Sequence, residues 1–110
     1  MNSKSKAETF IGFSVRSGKY KIGMNAAATL KKAYLILLCR SISENSLKDA
    51  IKLAKRFNCK IFKTVNKDLA DMTFRPNSKI MAITDKTLAK SITDNSDKDL
   101  IEVNQEYLNG

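Results

Sequence analysis

Apolar and polar positions follow two rhythms along this chain, and the places where one gives way to the other mark its elements. The helical rhythm is clearest over residues 44–57. There Leu47, Ala50, Ile51, Ala54 and Phe57 recur at helical spacing and form one stripe. Ser43 stands before the stripe as a strong N-cap, Glu44 suits the positive end of the helix dipole, and Asn58 closes the element. Lys48, Lys52, Lys55 and Arg56 lie off the stripe and read as a solvated face.

The other rhythm is that of short strands. Residues 34–39 form a continuous apolar run, Tyr34-Leu35-Ile36-Leu37-Leu38-Cys39, too short for a core helix and suited to a strand buried on both faces. Residues 60–65 alternate less cleanly, and Ile80-Met81-Ala82-Ile83 is a third strand. A brief extended piece is expected over Lys19–Ile22. Helices are expected from Ala7 to about Gly18, with Phe10, Phe13 and Ser14 on one face, and from about Met24 to Lys32, led by three strongly helix-forming alanines. A short helix should span Lys67–Phe74 with Leu69, Ala70 and Met72 inward. The last should follow a cap at Thr84 or Asp85, with Leu88, Ala89 and Ile92 as its apolar face. Strands alternating with helices predict a three-layer α/β arrangement with helices on both faces of a small sheet.

Asp94-Asn95-Ser96-Asp97 breaks the pattern, so residues 1–93 are expected to form a single domain. Residues 94–110 are expected to be an acidic tail, either disordered or loosely helical through Leu100, Val103, Tyr107 and Leu108. Charge sharpens this division. The tail holds Asp94, Asp97, Asp99, Glu102 and Glu106 against Lys98 alone, a balance of −4, which leaves +13 on residues 1–93 within the net +9 of the chain. A body so basic favours a polyanionic partner. The tail has two readings: a solvated end, or a flap over the basic face that competes with that partner.

Composition bounds the rest. With 110 residues and 43% hydrophobic content the chain can bury a proper core. The longest apolar run falls far short of a membrane span, and the polar start leads into no signal-like segment. A cytoplasmic protein without a membrane partner is expected. An enzyme reading lacks its parts: the chain has no histidine, no Gly-x-Gly-x-x-Gly and no phosphate loop. Cys39 and Cys59 have no neighbours at metal spacing and read as small buried apolar residues, so neither catalytic residues, a metal nor a cofactor is expected.

The candidate chemistry lies instead in one basic corner, from Gly18 to Lys32. Gly23 offers a turn that lets backbone approach a ligand closely. The helix beginning after it presents unpaired N–H groups from Met24 to Ala26 that suit a phosphate. Asn25 has two readings, a plain helix cap or a side-chain amide that reads a base edge. Lys21, Lys31, Lys32 and the more distant Arg40 supply positive charge.

In order and spacing the chain resembles the seven-Ae ribosomal-protein family of kink-turn RNA-binding proteins, and within it the short bacterial YlxQ-type members. The resemblance rests on Val15-Arg16-Ser17-Gly18-Lys19 leading to Gly23-Met24-Asn25, the strand Leu35 to Cys39, and Ser43-Glu44-Asn45 opening a lysine-rich helix. It continues with Lys67-Asp68-Leu69, and with Arg75-Pro76 before Ile80-Met81-Ala82-Ile83-Thr84-Asp85. It runs from about Phe10 to Ile92. It implies an α/β/α sandwich on a four-stranded mixed sheet, and a monomer that binds structured RNA, ribosomal or otherwise, at a bend flanked by sheared G·A pairs. It further implies that Asn25 reads a guanine edge, that Gly23 and Met24 lie against the RNA backbone, and that Arg75, Pro76, Asn77 and Ser78 close over a flipped nucleotide. Ala26 stands where the family carries a glutamate, Thr29 where it carries a basic residue, and Arg40-Ser41 where it carries an acidic pair. An alternative is a protein-interaction module of the same fold that has lost specific RNA binding.

Overall fold

The computed structural model describes residues 5–96 and 98–104. Its elements run α1 (Lys6–Arg16), β1 (Tyr20–Ile22), α2 (Met24–Ala28), β2 (Leu35–Leu38), α3 (Glu44–Phe57), β3 (Lys60–Thr64), α4 (Leu69–Thr73), β4 (Ile80–Ile83), α5 (Lys86–Asp94) and β5 (Leu100–Glu102). The strands make one mixed sheet in the order β1-β4-β2-β3-β5. Only β2 and β3 are parallel, with Leu35 opposite Lys60 and Leu38 opposite Lys63. β4 runs antiparallel to both of its neighbours and pairs Ile83 with Tyr20 on one side and with Leu35 on the other.

β2 and β4 are buried at every position, as expected for interior strands covered on both sides. Their side chains alternate between two apolar clusters. Leu35, Leu37, Met81 and Ile83 join Ala7, Ile11, Leu69, Met72, Ala89 and Ile92 from α1, α4 and α5. Ile36, Leu38, Ile80 and Ala82 join Ala27 of α2 and Ala50, Ile51, Leu53, Ala54 and Phe57 of α3. α3 follows the sequence pattern closely. The Ser43 hydroxyl accepts from the Ser46 N–H, and Asn58 closes the helix in the left-handed region at φ 55°.

Several expectations need correction. The sheet has five strands rather than four, because Leu100–Glu102 pairs antiparallel with β3, placing Leu100 opposite Thr64 and Glu102 opposite Phe62. The domain therefore extends past Thr93, and residues 100–102 are neither disordered nor helical. Asp97, Glu106, Tyr107 and Leu108 lie outside the described residues.

α2 ends at Ala28 rather than Lys32. The Thr29 and Leu30 N–H groups bond back to Ala26 and Ala27 in tight turns, and the Arg56 guanidinium takes the carbonyls of Ala28 and Leu30 at 2.8 and 3.2 Å. On α1, Phe13 faces outward, 52% exposed, beside the Arg16 guanidinium. The buried stripe is Ala7, Ile11 and Ser14, together with Glu8. Both polar members are satisfied: the Ser14 hydroxyl donates to the Phe10 carbonyl at 2.9 Å, and the Glu8 carboxylate receives the Lys67 ammonium at 3.0 Å. Cys59 is only partly buried, and neither cysteine forms a disulfide.

Candidate nucleic-acid interface

β4 runs opposite to β1 and β2, so the last residues of those two strands and the first residue of β4 lie at one end of the sheet. Three backbone contacts weld this end together. The Gly23 N–H donates to the Ile80 carbonyl at 3.0 Å, and the Cys39 N–H to the Lys79 carbonyl at 2.9 Å. The Arg40 N–H donates to the buried Thr64 hydroxyl at 2.9 Å. Gly23, Met24, Asn25 and Arg40 thereby lie at the end of the sheet where the loop Arg75–Ser78 enters β4 through Lys79.

The corner depends on Gly23. Its φ of 102° with ψ 145° lies in a region essentially closed to side-chain-bearing residues, although a Cβ there would meet no atom within 4 Å. The constraint is thus backbone strain, not crowding. Gly23 is itself the N-cap of α2, so Asn25 is the second residue of the helix and not its cap. Its side chain is exposed and makes no capping bond, while Met24 is half-buried against the second cluster.

On the loop, Asn77 adopts the left-handed conformation at φ 63°, which asparagine tolerates better than most residues. Ser78 is buried. Its hydroxyl donates to the Arg75 carbonyl at 2.6 Å and pairs with the Thr73 hydroxyl at 3.1 Å, so it shapes the loop from inside. Arg75, Pro76 and Asn77 are exposed.

Not every residue singled out from sequence reaches this end. Lys21 is exposed in the middle of edge strand β1. Lys31 and Lys32 lie on the link from α2 to β2, whose first residue pairs with Ile83 at the opposite end of the sheet. Lys32 has a structural task there: its ammonium donates to the Phe57 carbonyl at 2.9 Å, at the negative end of α3.

Sequence reasoning missed three residues at the Gly23 end. Phe74 closes α4 in the left-handed region at φ 58° and is 64% exposed, immediately before Arg75. The adjacency of Phe74 and Arg75 is visible in the sequence, where it reads as the end of a short helix, but the exposure of the ring is not. Lys79 and Ser41 were also overlooked; the Lys79 ammonium donates to the Ser41 hydroxyl at 2.6 Å.

The electrostatics of this end centre on a clasp. Arg40 Nε donates to Asp68 Oδ1 at 3.0 Å, and one terminal guanidinium nitrogen reaches the Val65 carbonyl at 3.4 Å. The Arg40 hydrogen bond, against a smaller desolvation effect, holds the Asp68 carboxyl below its ordinary range. A depressed carboxylate pKa stabilises the folded form above the ordinary range and loses that effect as pH falls through the lowered pKa. The clasp is therefore closed at neutral pH. Asp68→Asn should release Arg40; under the RNA-binding reading proposed below, it should raise RNA affinity several-fold, with the salt slope growing by about one counterion. Fluorescence anisotropy at several salt concentrations checks this, and an unchanged slope would mean that Arg40 meets no phosphate.

Beneath the clasp lies the Cys39 thiol. Burial pushes its pKa up, but hydrogen bonds from the Ser41 hydroxyl and from the backbone of Ser41 and Leu69 more than offset this, leaving it below the ordinary thiol value. With 1% exposure it is closed to reagents and serves as a packed polar floor. Among the described residues, no three or more His, Cys, Asp or Glu side chains converge as a metal site, and no helix is long and apolar enough to cross a membrane.

No family model matches the chain, and no curated protein matches it. Among solved structures it is similar to a protein of unknown function from Bacillus halodurans, at 12% identity and a TM-score of 0.73, over 86% of this chain and 99% of that one. That likeness bears on the mixed α/β fold alone.

Proposed function

We propose that this chain binds structured RNA without catalysis, at a bend of the kink-turn type, as a ribosomal or ribosome-associated protein of the YlxQ kind. In this reading the fold is a three-layer α/β/α sandwich. The observation that carries the reading is the convergence at one end of the sheet of Gly23, Met24 and Asn25 with Arg40, Phe74, Arg75, Pro76, Asn77 and Lys79. These parts divide the work. The Gly23–Asn25 backbone and Lys79 receive phosphate, the exposed Asn25 amide reads a base edge, and Phe74 with Arg75 offers flat surfaces to an unstacked base. Irregular RNA exposes such bases and edges, whereas a regular RNA helix hides them in its deep groove.

Titration with a standard kink-turn RNA, and with a control in which Watson–Crick pairs replace the G·A pairs, tests this at two salt concentrations. A preference for the kink-turn that survives the higher salt is expected. Equal, salt-sensitive binding to both would refute recognition of the bend.

The alternative is a protein-interaction module that keeps the fold and has lost specific RNA binding. Two features favour it: Arg40 is already held by Asp68, and Ala26 provides no acceptor for guanine N–H groups. No binding to either RNA would bring this reading forward.

A further inference from the structure

At the far end of the sheet from Gly23, where the Tyr34 N–H bonds the Ile83 carbonyl, a cavity of about 380 Å³ opens between the α2–β2 link, the start of β3 and one face of α5. Its volume lies within the range of small-molecule sites, roughly 300–1,000 Å³. We propose that this cavity is a second binding site, for a nucleoside phosphate: its lysines hold the phosphate and Tyr34 stacks on the base.

Charge is the first argument. Lys32, Lys60, Lys86 and Lys90 reach the cavity from three separate segments, against one lining carboxylate, Asp94. Lys90 already takes that carboxylate at 2.8 Å. Lys60 and Lys86 have no hydrogen-bonded or ionic partner among the described residues, and Lys32 spends one N–H on the Phe57 carbonyl and keeps two. Unneutralised like charges gathered round one cavity repel each other, and a multiply charged anion relieves that repulsion.

The second argument is the shape and polarity of the walls. Tyr34 is 37% exposed, with the Lys32 ammonium 5.6 Å from its ring centroid. Ala33 and Ala89 supply a buried apolar floor. Cys59 adds to that floor as a neutral thiol, because burial pushes its pKa up to about 11 against the opposing pull of Lys32. An inorganic anion would use only the lysines and leave this flat apolar part empty. A ligand that joins a planar ring to a phosphate uses both. A free nucleotide and the terminal nucleotide of an RNA strand present the same chemistry.

The test is an amide chemical-shift titration of the full chain at low salt with ADP, inorganic pyrophosphate and a short RNA with or without a 5′-phosphate. ADP should shift the amides of Tyr34, Cys59 and Ala89 saturably and leave those of Asn25 and Arg40 in place. The double variant Lys60→Ala/Lys86→Ala should weaken ADP binding at least about tenfold, as expected for loss of charge-assisted hydrogen bonds. Both lysines are exposed, and thermal unfolding checks that the double variant remains folded. Tyr34→Ala should weaken ADP more than pyrophosphate. Shifts from the 5′-phosphorylated RNA but not from its unphosphorylated twin would assign the site to strand ends, and shifts from ADP alone to free nucleotides; either supports the proposal. Absence of saturable shifts with ADP and RNA alike would overturn it, as would ADP and pyrophosphate binding equally with no response to Tyr34→Ala. Asn25→Ala should leave ADP binding unchanged, which separates failure here from failure of the bend-binding reading.

Discussion

Leu100→Ala will destabilise the protein by about 2–5 kcal/mol, the range for emptying a well-packed leucine site. Leu100 is 3% exposed and belongs to the cluster that also holds Ile11, Phe62 and Ile92. Its strand is tied at both ends: the Val65 N–H donates to the Asp99 carbonyl at 3.1 Å, and the Val103 N–H to the Ile61 carbonyl at 2.8 Å. The neighbouring Ile101 points away from this cluster at 56% exposure, so Ile101→Ala should stay within about 0.5 kcal/mol of the parent. Urea unfolding of the pair gives the comparison. Equal, small losses would mean that residues 100–102 contribute nothing to the core. The same packing changes what truncation after Thr93 would do. It strips the outer partner from β3, and the expected result is a loosened domain, not a basic face uncovered for RNA.

The second large effect is on recognition. Phe74→Ala should weaken binding of a bent RNA by about 1–3 kcal/mol, the usual loss for one base–aromatic stack. It should cost the fold far less, since the ring is 64% exposed. Asn25→Ala should cost a similar 1–3 kcal/mol on the bent RNA and almost nothing on a control duplex, because a base-edge contact carries the specificity. Isothermal titration against both RNAs distinguishes the two residues: Phe74 should also matter for any RNA with an unstacked base, and Asn25 only where the correct edge is presented. If both variants bind the bent RNA as the parent does, the Gly23 end is not the interface.

The elements that could be read from the sequence are those decided locally. α3 carries its own cap, its own stripe and its own stop at Asn58, so nothing distant needed to be known. β2 and β4 are apolar throughout because both faces are covered, and a run of that kind is visible in one dimension. The misreadings share a cause, which is partners remote in sequence. Arg56 draws off the carbonyls at the end of α2, Lys67 neutralises a buried Glu8 on α1, and β3 recruits three residues out of an acidic stretch. In the site, the turn at Gly23 was legible because its backbone demands glycine, whereas Asn77 entered only through the family resemblance. The separation of Lys31 and Lys32 from Arg40 was not legible, because it follows from the direction of the link between α2 and β2. Proximity in sequence misled there.

The weld between Gly23 and Ile80 has a consequence for how the protein is made. β1 meets β4, its partner among the described residues, when residue 20 finds residue 83, and Gly23 acquires its hydrogen bond at the same moment. Contacts so distant along the chain carry a larger loop-closure cost than the nearer pairing of β2 with β3 or the growth of α3. During synthesis the Gly23 corner therefore cannot close until β4 has been made. A nascent chain that stops short of β4 carries much of the positive charge but not the geometry of the corner. Any selectivity that depends on this corner therefore waits on the pairing of β1 with β4.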